Sequence, residues 1–183
     1  MKNTILLLIF FGFVTLTGQA CADNACKYGK EFVKERDIKA KDISHQYWRY
    51  NLDPDSGEHF KTLHLFYTNG DQAVIEHKYC SMYNFELVYF LGKSSNPSLD
   101  QIGSIVGDHV NKYSSMLNQS AEKISNRVKS TLSAHKFSSN SAFSRGFDGN
   151  LPGTELSISF MPFDNIGSMY SGIIGFYLGV GGE

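Results

Sequence analysis

The stretch FKTLHLFYTNGDQAVIEHKYC, residues 60–80, decides the fold of this 183-residue chain. Its two halves, 60–67 and 73–80, are rich in the aromatic and β-branched residues that strands prefer. Between them stands Asn69-Gly70, a dipeptide favoured in tight hairpin turns because the central positions require positive φ. The stretch therefore predicts two antiparallel strands joined by a tight turn.

Further strands are predicted on both sides of this hairpin. They are short runs of aromatic, β-branched or alternating residues, separated by turn-forming residues. The candidate strands are 31–34, which is weak, 45–52, 85–91, 156–160 and 170–180. Because consecutive short strands most simply pair with their neighbours, we expect an antiparallel sheet of about five to seven strands.

The hydrophobic period changes to that of a helix after Pro97. Ser98 and Gln101 have the spacing of a capping box, which marks a helix start. Apolar residues then recur on one helical face as far as Met116. A narrower stripe follows Asn118 and consists of Ala121, Ile124, Val128 and Leu132. One long helix or two consecutive helices are predicted to cover one face of the sheet, so the fold class is α+β.

The polar, serine-rich segment 137–153 shows neither period and is predicted to be an exposed loop. Phe143, Arg145 and Phe147 interrupt it. Aromatic and arginine side chains are enriched at interface hot spots, and loops on rigid scaffolds often carry function. These three residues are therefore candidates for contact with a partner, unless the two phenylalanines fold back onto the domain.

The sequence Tyr47-Trp48-Arg49-Tyr50 is a second candidate contact region. Strand alternation places Trp48 and Tyr50 on one face and Tyr47 and Arg49 on the other. One pair is predicted to lie in the core and the other to be exposed. Tyr47 and Arg49 are therefore also partner-binding candidates.

The first 22 residues have the order of a secretory signal peptide, which would be cleaved. Their apolar block, 5–14, is about half the ~20 residues of a membrane-spanning helix. Ala20 and Ala22 match the small residues of a cleavage site, so cleavage is expected before Asp23. The mature protein would be periplasmic or secreted, with no integral membrane segment. In the alternative, Cys21 becomes the lipidated N-terminus of an anchored lipoprotein.

The three cysteines are interpreted together with this cleavage. If Cys21 leaves with the signal peptide, Cys26 and Cys80 remain, and an oxidising compartment favours a disulfide over a metal site. The bond would close a loop of about fifty residues and restrict the unfolded chain by about 4 kcal/mol. A catalytic Cys80 beside His77 would require Cys26 to be idle.

Size and charge limit the function further. A mature chain of about 160 residues, 23–183, suits a single domain. The sequence has 17 basic and 18 acidic residues, and loss of Lys2 with the signal peptide leaves a net charge near −2. Because phosphate binding needs a clustered basic surface, no nucleic-acid partner is predicted.

The sequence motifs that could indicate a catalytic or metal-binding site are incomplete. The turn at 53–58 departs from the calcium-binding EF-hand pattern at three positions. Ser120 and Lys123 have the spacing found in penicillin-recognising enzymes but lack the companion motifs, and Ser120 is explained more simply as a helix N-cap. His64 and His77 could approach across the hairpin, yet two ligands do not make a zinc site. No catalytic residue, metal or cofactor is therefore predicted.

The sequence favours a small exported, disulfide-containing binding protein, such as an inhibitor or an immunity-type protein that binds another protein. An enzyme is disfavoured because no catalytic constellation is complete. One alternative is a small-ligand-binding protein or hydrolase with a cleft between helices and sheet, for which His77, Tyr79 and His109 are candidate groups. A structural component of the envelope is the other alternative.

Overall fold

The computed structural model describes residues 26–35, 41–92, 97–117, 120–148, 153–163 and 169–181. The predicted signal peptide, 1–22, and Cys21 lie outside these ranges. The described chain forms an α+β fold, which confirms the predicted class. Its elements in chain order are β1 (Ile43–Leu52), β2 (His59–Tyr67), β3 (Gln72–Tyr79), β4 (Tyr83–Gly92), α1 (Leu99–Tyr113), α2 (Ala121–Ala134), β5 (Phe143–Asp148), β6 (Thr154–Pro162) and β7 (Tyr170–Val180).

The seven described strands form one antiparallel sheet in the order β1-β2-β3-β4-β7-β6-β5. The first four strands follow one another as a meander. The last three form a second meander that returns from the far edge of the sheet. As a result β7 lies inside the sheet, paired with β4 on one side and with β6 on the other. Both helices belong to the connection between the two meanders.

The predicted hairpin is present between β2 and β3, with its turn at Asn69-Gly70. Gly70 has a φ of +90°, a conformation that glycine adopts without strain. The side chain of Asn69 steadies the turn, because its Oδ1 accepts a hydrogen bond from the backbone N–H of Asp71 at 3.0 Å. The resulting register sets Leu63 opposite Ile75 and turns both towards the helices.

Strand alternation gives the sheet a buried inner face, which is turned towards the helices, and a half-exposed outer face. The largest fully buried strand residues are Tyr83, Phe85, Phe176, Leu63, Leu65, Ile75, Leu87, Ile158 and Ile174. Full burial of such a side chain contributes about 1.5–3 kcal/mol to stability. Outer-face side chains such as Thr62, Val74 and Val88 are only partly buried. The core therefore lies between one face of the sheet and the two helices.

Two separate helices, each with its own N-cap, cover the inner face. The capping box at the start of α1 is confirmed: Gln101 N donates to Ser98 Oγ at 3.2 Å, and Ser98 N donates to Gln101 Oε1 at 2.9 Å. α2 starts at Ser120, whose Oγ accepts from Lys123 N at 3.3 Å. The buried stripe of α1 includes Ile102, Val106, Val110 and Tyr113. Neither helix has the length and apolar character required to cross a membrane.

The two helices approach each other closely along a pair of glycines in α1. A Cβ at Gly107 would clash with the backbone oxygen of Ala121, and one at Gly103 would lie 2.9 Å from the backbone oxygen of Ser125. These distances leave no space for a side chain on this face of α1. The glycines therefore set the separation of the two helix backbones.

The predicted disulfide is present between Cys26 and Cys80, which are 54 positions apart in the sequence. A backbone hydrogen bond from Tyr28 N to Cys80 O, 3.0 Å long, lies next to it. Together they attach the beginning of the described chain to the end of β3. A disulfide at this place is compatible with an exported protein.

The prediction of a weak strand at 31–34 is wrong. The chain instead forms a 3-10 helix, Lys30–Phe32, followed by a single antiparallel bridge between Val33 and Ser114. The reason is its position: the segment lies against the end of α1, where Lys34 N donates to Tyr113 O at 3.0 Å, and not beside an edge of the sheet. A single bridged pair of residues does not amount to a strand.

The exposed loop predicted at 137–153 is also corrected, because this segment contains β5. The strand pairs with β6 along its whole length, beginning with Phe143 opposite Phe160. Phe147 turns inward, and its ring centroid lies 6.4 Å from that of Phe176. Partial burial of the two phenylalanines and backbone pairing with β6 make the segment a strand, although Arg145, opposite the buried Ile158, interrupts the apolar alternation.

Candidate functional site

A cleft of about 550 Å³ opens between α1 and the turn that joins β2 to β3. This volume is in the range of small-ligand sites in proteins. Pro97, Leu91 and Ile105 contribute apolar surface. The polar groups that converge on the cleft come from five elements or turns and include Asp42, Tyr67, Asp71, Tyr89, Asp108 and His109. The arrangement is a cleft between helix and sheet with convergent polar groups.

Tyr67, at the end of β2, and His109, on α1, form the central polar contact of the cleft. The Tyr67 hydroxyl lies 2.7 Å from His109 Nε2, and His109 Nδ1 lies 2.6 Å from the backbone oxygen of Ile105. A carbonyl oxygen can only accept, so Nδ1 carries the ring proton. In the neutral ring Nε2 is then an acceptor, and Tyr67 must be the donor.

Burial moves the pKa of each member of this pair further from 7, and both are uncharged at neutral pH. It lowers the pKa of His109 to about 4, and the ring is therefore neutral at pH 7. Burial is also the main cause that raises the pKa of Tyr67, and the nearby charge of Asp42 adds to it. The phenol consequently keeps its proton and directs it at the imidazole.

Asp71 and Tyr89 form a second polar contact on the sheet side of the cleft. The Tyr89 hydroxyl donates to Asp71 Oδ2 at 2.7 Å, and the backbone N–H of Gly92 donates to Asp71 Oδ1 at 2.6 Å. Asn69 Nδ2 also donates to Oδ2, at 2.8 Å. Asp71 is only 6% exposed. These bonds satisfy the buried carboxylate and tie the β2–β3 turn to the end of β4.

Acidic groups predominate among the charged residues of the cleft. Asp42 and Asp108 are exposed at its rim, and neither carboxylate forms an ion pair with a described residue. Asp100 differs, because its Oδ1 lies 3.2 Å from Lys129 Nζ. Lys112 is the one cation that contributes to the described lining. The cleft therefore carries an excess of negative charge.

The three ligand candidates predicted from the sequence do not share this cleft. His109 lines it, whereas His77 is fully buried, with Nδ1 at 3.0 Å from the Tyr83 hydroxyl and the Trp48 ring stacked near it. Tyr79 is also buried and stacks on another histidine, His59. His77 and Tyr79 are thus placed in the packed inner face and not at an opening.

The partner-binding candidates lie at opposite edges of the sheet. Phe143 and Phe147 point inward from β5 and pack against the core, so the two phenylalanines fold back onto the domain. Arg145, between them, is exposed. Tyr47 and Arg49 lie on the outer face of β1, where the guanidinium stands 5.3 Å from the Tyr47 ring centroid. The structure does not bring these five residues into one surface.

The face assignment of the aromatic run in β1 agrees with the structure, but neither pair lies in the core, since Trp48 is only partly buried and Tyr50 is exposed. Trp48 and Tyr50 turn inward, where Trp48 stacks near His77 and the Tyr50 hydroxyl bonds His59 Nδ1 at 2.7 Å. Nevertheless 57% of Tyr50 is exposed, as is 44% of Leu52. The inner side of this edge strand is therefore incompletely covered by the described chain.

The remaining motifs have local structural roles. Asp53 accepts hydrogen bonds from Asp55 N and from the Ser56 hydroxyl, which stabilises the turn between β1 and β2. His64 and His77 do not approach each other across the hairpin, because His64 lies opposite Val74 on the outer side of the sheet and His77 is buried on the inner side. Within the described ranges, no group of three histidine, cysteine or acidic side chains could hold a metal ion.

Most residues of the cleft were missed from the sequence. Asp42, Tyr67, Asp71 and Tyr89 are brought to His109 by strand pairing and by the position of α1, which local patterns do not specify. One signal was available: His109 is a polar residue within the apolar stripe of α1, where a partner inside the fold is expected.

Comparison with models of protein families, with curated proteins and with solved structures found no significant match. The geometry and chemistry of the cleft therefore carry the functional argument.

Proposed function

We propose that this chain is an exported, disulfide-tied binding protein whose ligand enters the cleft between α1 and the β2–β3 turn. The observation that carries the proposal is the convergence of Tyr67, Asp71, Tyr89 and His109 on a space of about 550 Å³. Export is supported by the Cys26–Cys80 disulfide and by the signal-like sequence at 1–22.

Binding is favoured over hydrolysis by the protonation states of the central pair. A general acid or base works best when its pKa lies near the working pH. Burial moves the pKa of His109 down to about 4 and that of Tyr67 upward, so both groups shift away from neutrality. A fixed, uncharged pair of this kind orients a ligand better than it transfers protons.

A cleft-filling substitution tests the proposal. Ser104 is exposed on α1 and lines the cleft, so Ser104→Trp would occupy the ligand space. Ser133→Trp, on the exposed side of α2, is the matched control. Amide NMR spectra would be recorded with pools of amino acids, polyamines, sugars and nucleotides.

We expect at least one pool to shift amides around Thr68, Asn69 and Ser104 in the wild type and in Ser133→Trp. The same pool should leave Ser104→Trp unchanged. Absence of such shifts with every pool, or equal shifts in both tryptophan variants, would contradict a ligand site in the cleft.

A protein partner bound through β1 is the second candidate, favoured by the exposed apolar side chains of this edge strand. Tyr50 and Leu52 are exposed on its inner side, and Tyr47 and Arg49 lie on its outer side. Edge strands also offer unpaired backbone groups to another chain. This candidate retains the inhibitor or immunity-type role predicted from the sequence.

A double variant, Tyr50→Ser with Leu52→Ser, tests this candidate by cross-linking in an envelope extract. The control is Met161→Ser, which removes a similarly exposed side chain, 56% accessible, from β6. We expect a discrete cross-linked product that the β1 variant loses and the control retains. Equal products from both variants would exclude β1 as the contact surface.

A further inference from the structure

The cleft offers hydrogen-bond acceptors at its centre, and the directions of its internal hydrogen bonds show why. Tyr67 donates its only hydroxyl proton to His109, and Tyr89 donates its own to Asp71. His109 uses its one N–H on the backbone oxygen of Ile105. The two phenol oxygens therefore present only lone pairs to a ligand.

The charges of the residues that line the cleft favour the same kind of ligand, one that donates hydrogen bonds. Asp42 and Asp108 line the cleft together with Tyr67, and after the larger effect of burial the charge of each raises the pKa of the Tyr67 hydroxyl. Asp71 adds a third carboxylate, whereas the charge of Asp100 is offset by Lys129. Against these three stands Lys112. A cationic group would be attracted to this site and an anion repelled.

The shape and the apolar lining point to an organic cation. A metal ion needs several ligands around one point, and no such group of three exists within the described ranges. Leu91 and Ile105 can contact an alkyl chain instead, and the rings of Tyr67 and Tyr89 can face a cation. A volume of about 550 Å³ exceeds that of an ion and suits a small molecule or one long side chain.

We propose that the cleft binds a primary ammonium or guanidinium group carried on an alkyl chain, with Asp42 and Asp108 as the charged contacts and Tyr67 as a neutral acceptor. This inference rests on the proposed function, because it names the ligand chemistry of the same cleft. A free polyamine and a lysine or arginine side chain of a peptide both provide this group.

The test is a calorimetric titration of the full chain with four probes. They are spermidine, the peptide acetyl-Gly-Lys-Gly-amide, the same peptide with its lysine acetylated, and calcium chloride. We expect spermidine or the lysine peptide to bind at least about tenfold more tightly than the acetylated peptide. Preference for spermidine would indicate a free polyamine, and preference for the lysine peptide a protein side chain.

The charged contacts are tested with Asp42→Asn and Asp108→Asn, each expected to weaken cation binding about tenfold. Glu122→Gln, an exposed change on α2 outside the cleft, should leave it unaltered. Asp42→Glu keeps the charge and should retain most of the affinity, which separates a loss of charge from misfolding. Equal affinity for the lysine and acetylated peptides, or tight calcium binding without amine binding, would overturn the inference.

The experiments distinguish a failure of the proposed ligand site from a failure of its preference for cations. If a sugar or nucleotide shifts the cleft amides and Ser104→Trp abolishes this effect, the cleft is a ligand site but not one for cations. If no probe or pool acts on the cleft, both the binding function and the cation preference are wrong.

Discussion

His77 and His109 are both buried in the folded chain, and burial lowers the pKa of His77 to about 3 and that of His109 to about 4. Lys61 contributes a smaller, like-charge effect at His77. In an unfolded chain a histidine has a pKa near 6.5. Between pH 6.5 and the lower folded values, the unfolded chain therefore binds more protons than the folded one.

We predict that the free energy of unfolding falls as the pH is lowered from 6.5. Above pH 6.5 the contribution of these two histidines to stability is fully retained. Each histidine contributes up to about 2 kcal/mol of this loss between pH 6.5 and 5. The free energy of unfolding in urea would be measured at several pH values. His77→Gln should make the decline shallower, whereas His135→Gln, at an exposed position, should not. Identical slopes for the wild type and His77→Gln would contradict the prediction.

At the scale of single residues, the sequence identified His109 as a candidate ligand-binding residue but did not identify the residues that contact it. Its place in the apolar stripe of α1 is a local signal, and burial follows from it. Tyr67 and Asp42, by contrast, reach His109 only through the position of α1 above the sheet. Residues that belong to the site by tertiary contact alone have no local pattern to reveal them.

At the scale of elements, the contact between α1 and α2 depends on Gly107. Alanine is the better helix former by about 1 kcal/mol, but its Cβ would meet the backbone oxygen of Ala121. We predict that Gly107→Ala lowers the free energy of unfolding by about 1–3 kcal/mol, because the helices must separate. Urea denaturation followed by circular dichroism measures this change.

Asn111→Ala, at an exposed position of the same helix, is the control for propensity. It should leave stability unchanged or raise it slightly. If Gly107→Ala also proved neutral or stabilising, the close contact between the helix backbones would not constrain the fold.

The elements that were predicted correctly are those with strong local signals. The Asn69-Gly70 turn and the Ser98–Gln101 capping box each occupy a few adjacent residues. β5 was missed because Arg145 occupies the inner-face position between Phe143 and Phe147 and interrupts the apolar alternation, and because the strand depends on pairing with β6. An edge strand stabilised by a non-local partner is not visible in its own segment.

At the scale of the whole molecule, processing and the disulfide can be tested together. We predict that protein purified from an envelope fraction begins at Asp23 and gains two hydrogen atoms on reduction, as one bond between Cys26 and Cys80 requires. Intact-mass measurement with and without reductant gives both results. A heavier species acylated at Cys21 would instead establish a lipoprotein, and an unchanged mass on reduction would exclude the disulfide.

The α+β class followed from the change of period near Pro97, but the strand order did not. Residues 170–180 read only as a strand containing glycine, and nothing in them indicates that β7 pairs with β4 and β6. Strand order is decided by which arrangement buries the inner faces of both meanders beneath the helices. That comparison involves the whole chain and cannot be made within a window of sequence.

Because β7 lies inside the sheet, the sheet cannot assemble in the order in which its strands are synthesised. β4 must wait for a partner that arrives about ninety residues later, since Leu87 pairs with Phe176. Until the last strand has been synthesised, the edge of β4 stays open and the two meanders remain separate. A nascent chain in this condition cannot complete its sheet before the last strand has emerged. The same open edge is the place where a chaperone would be needed most.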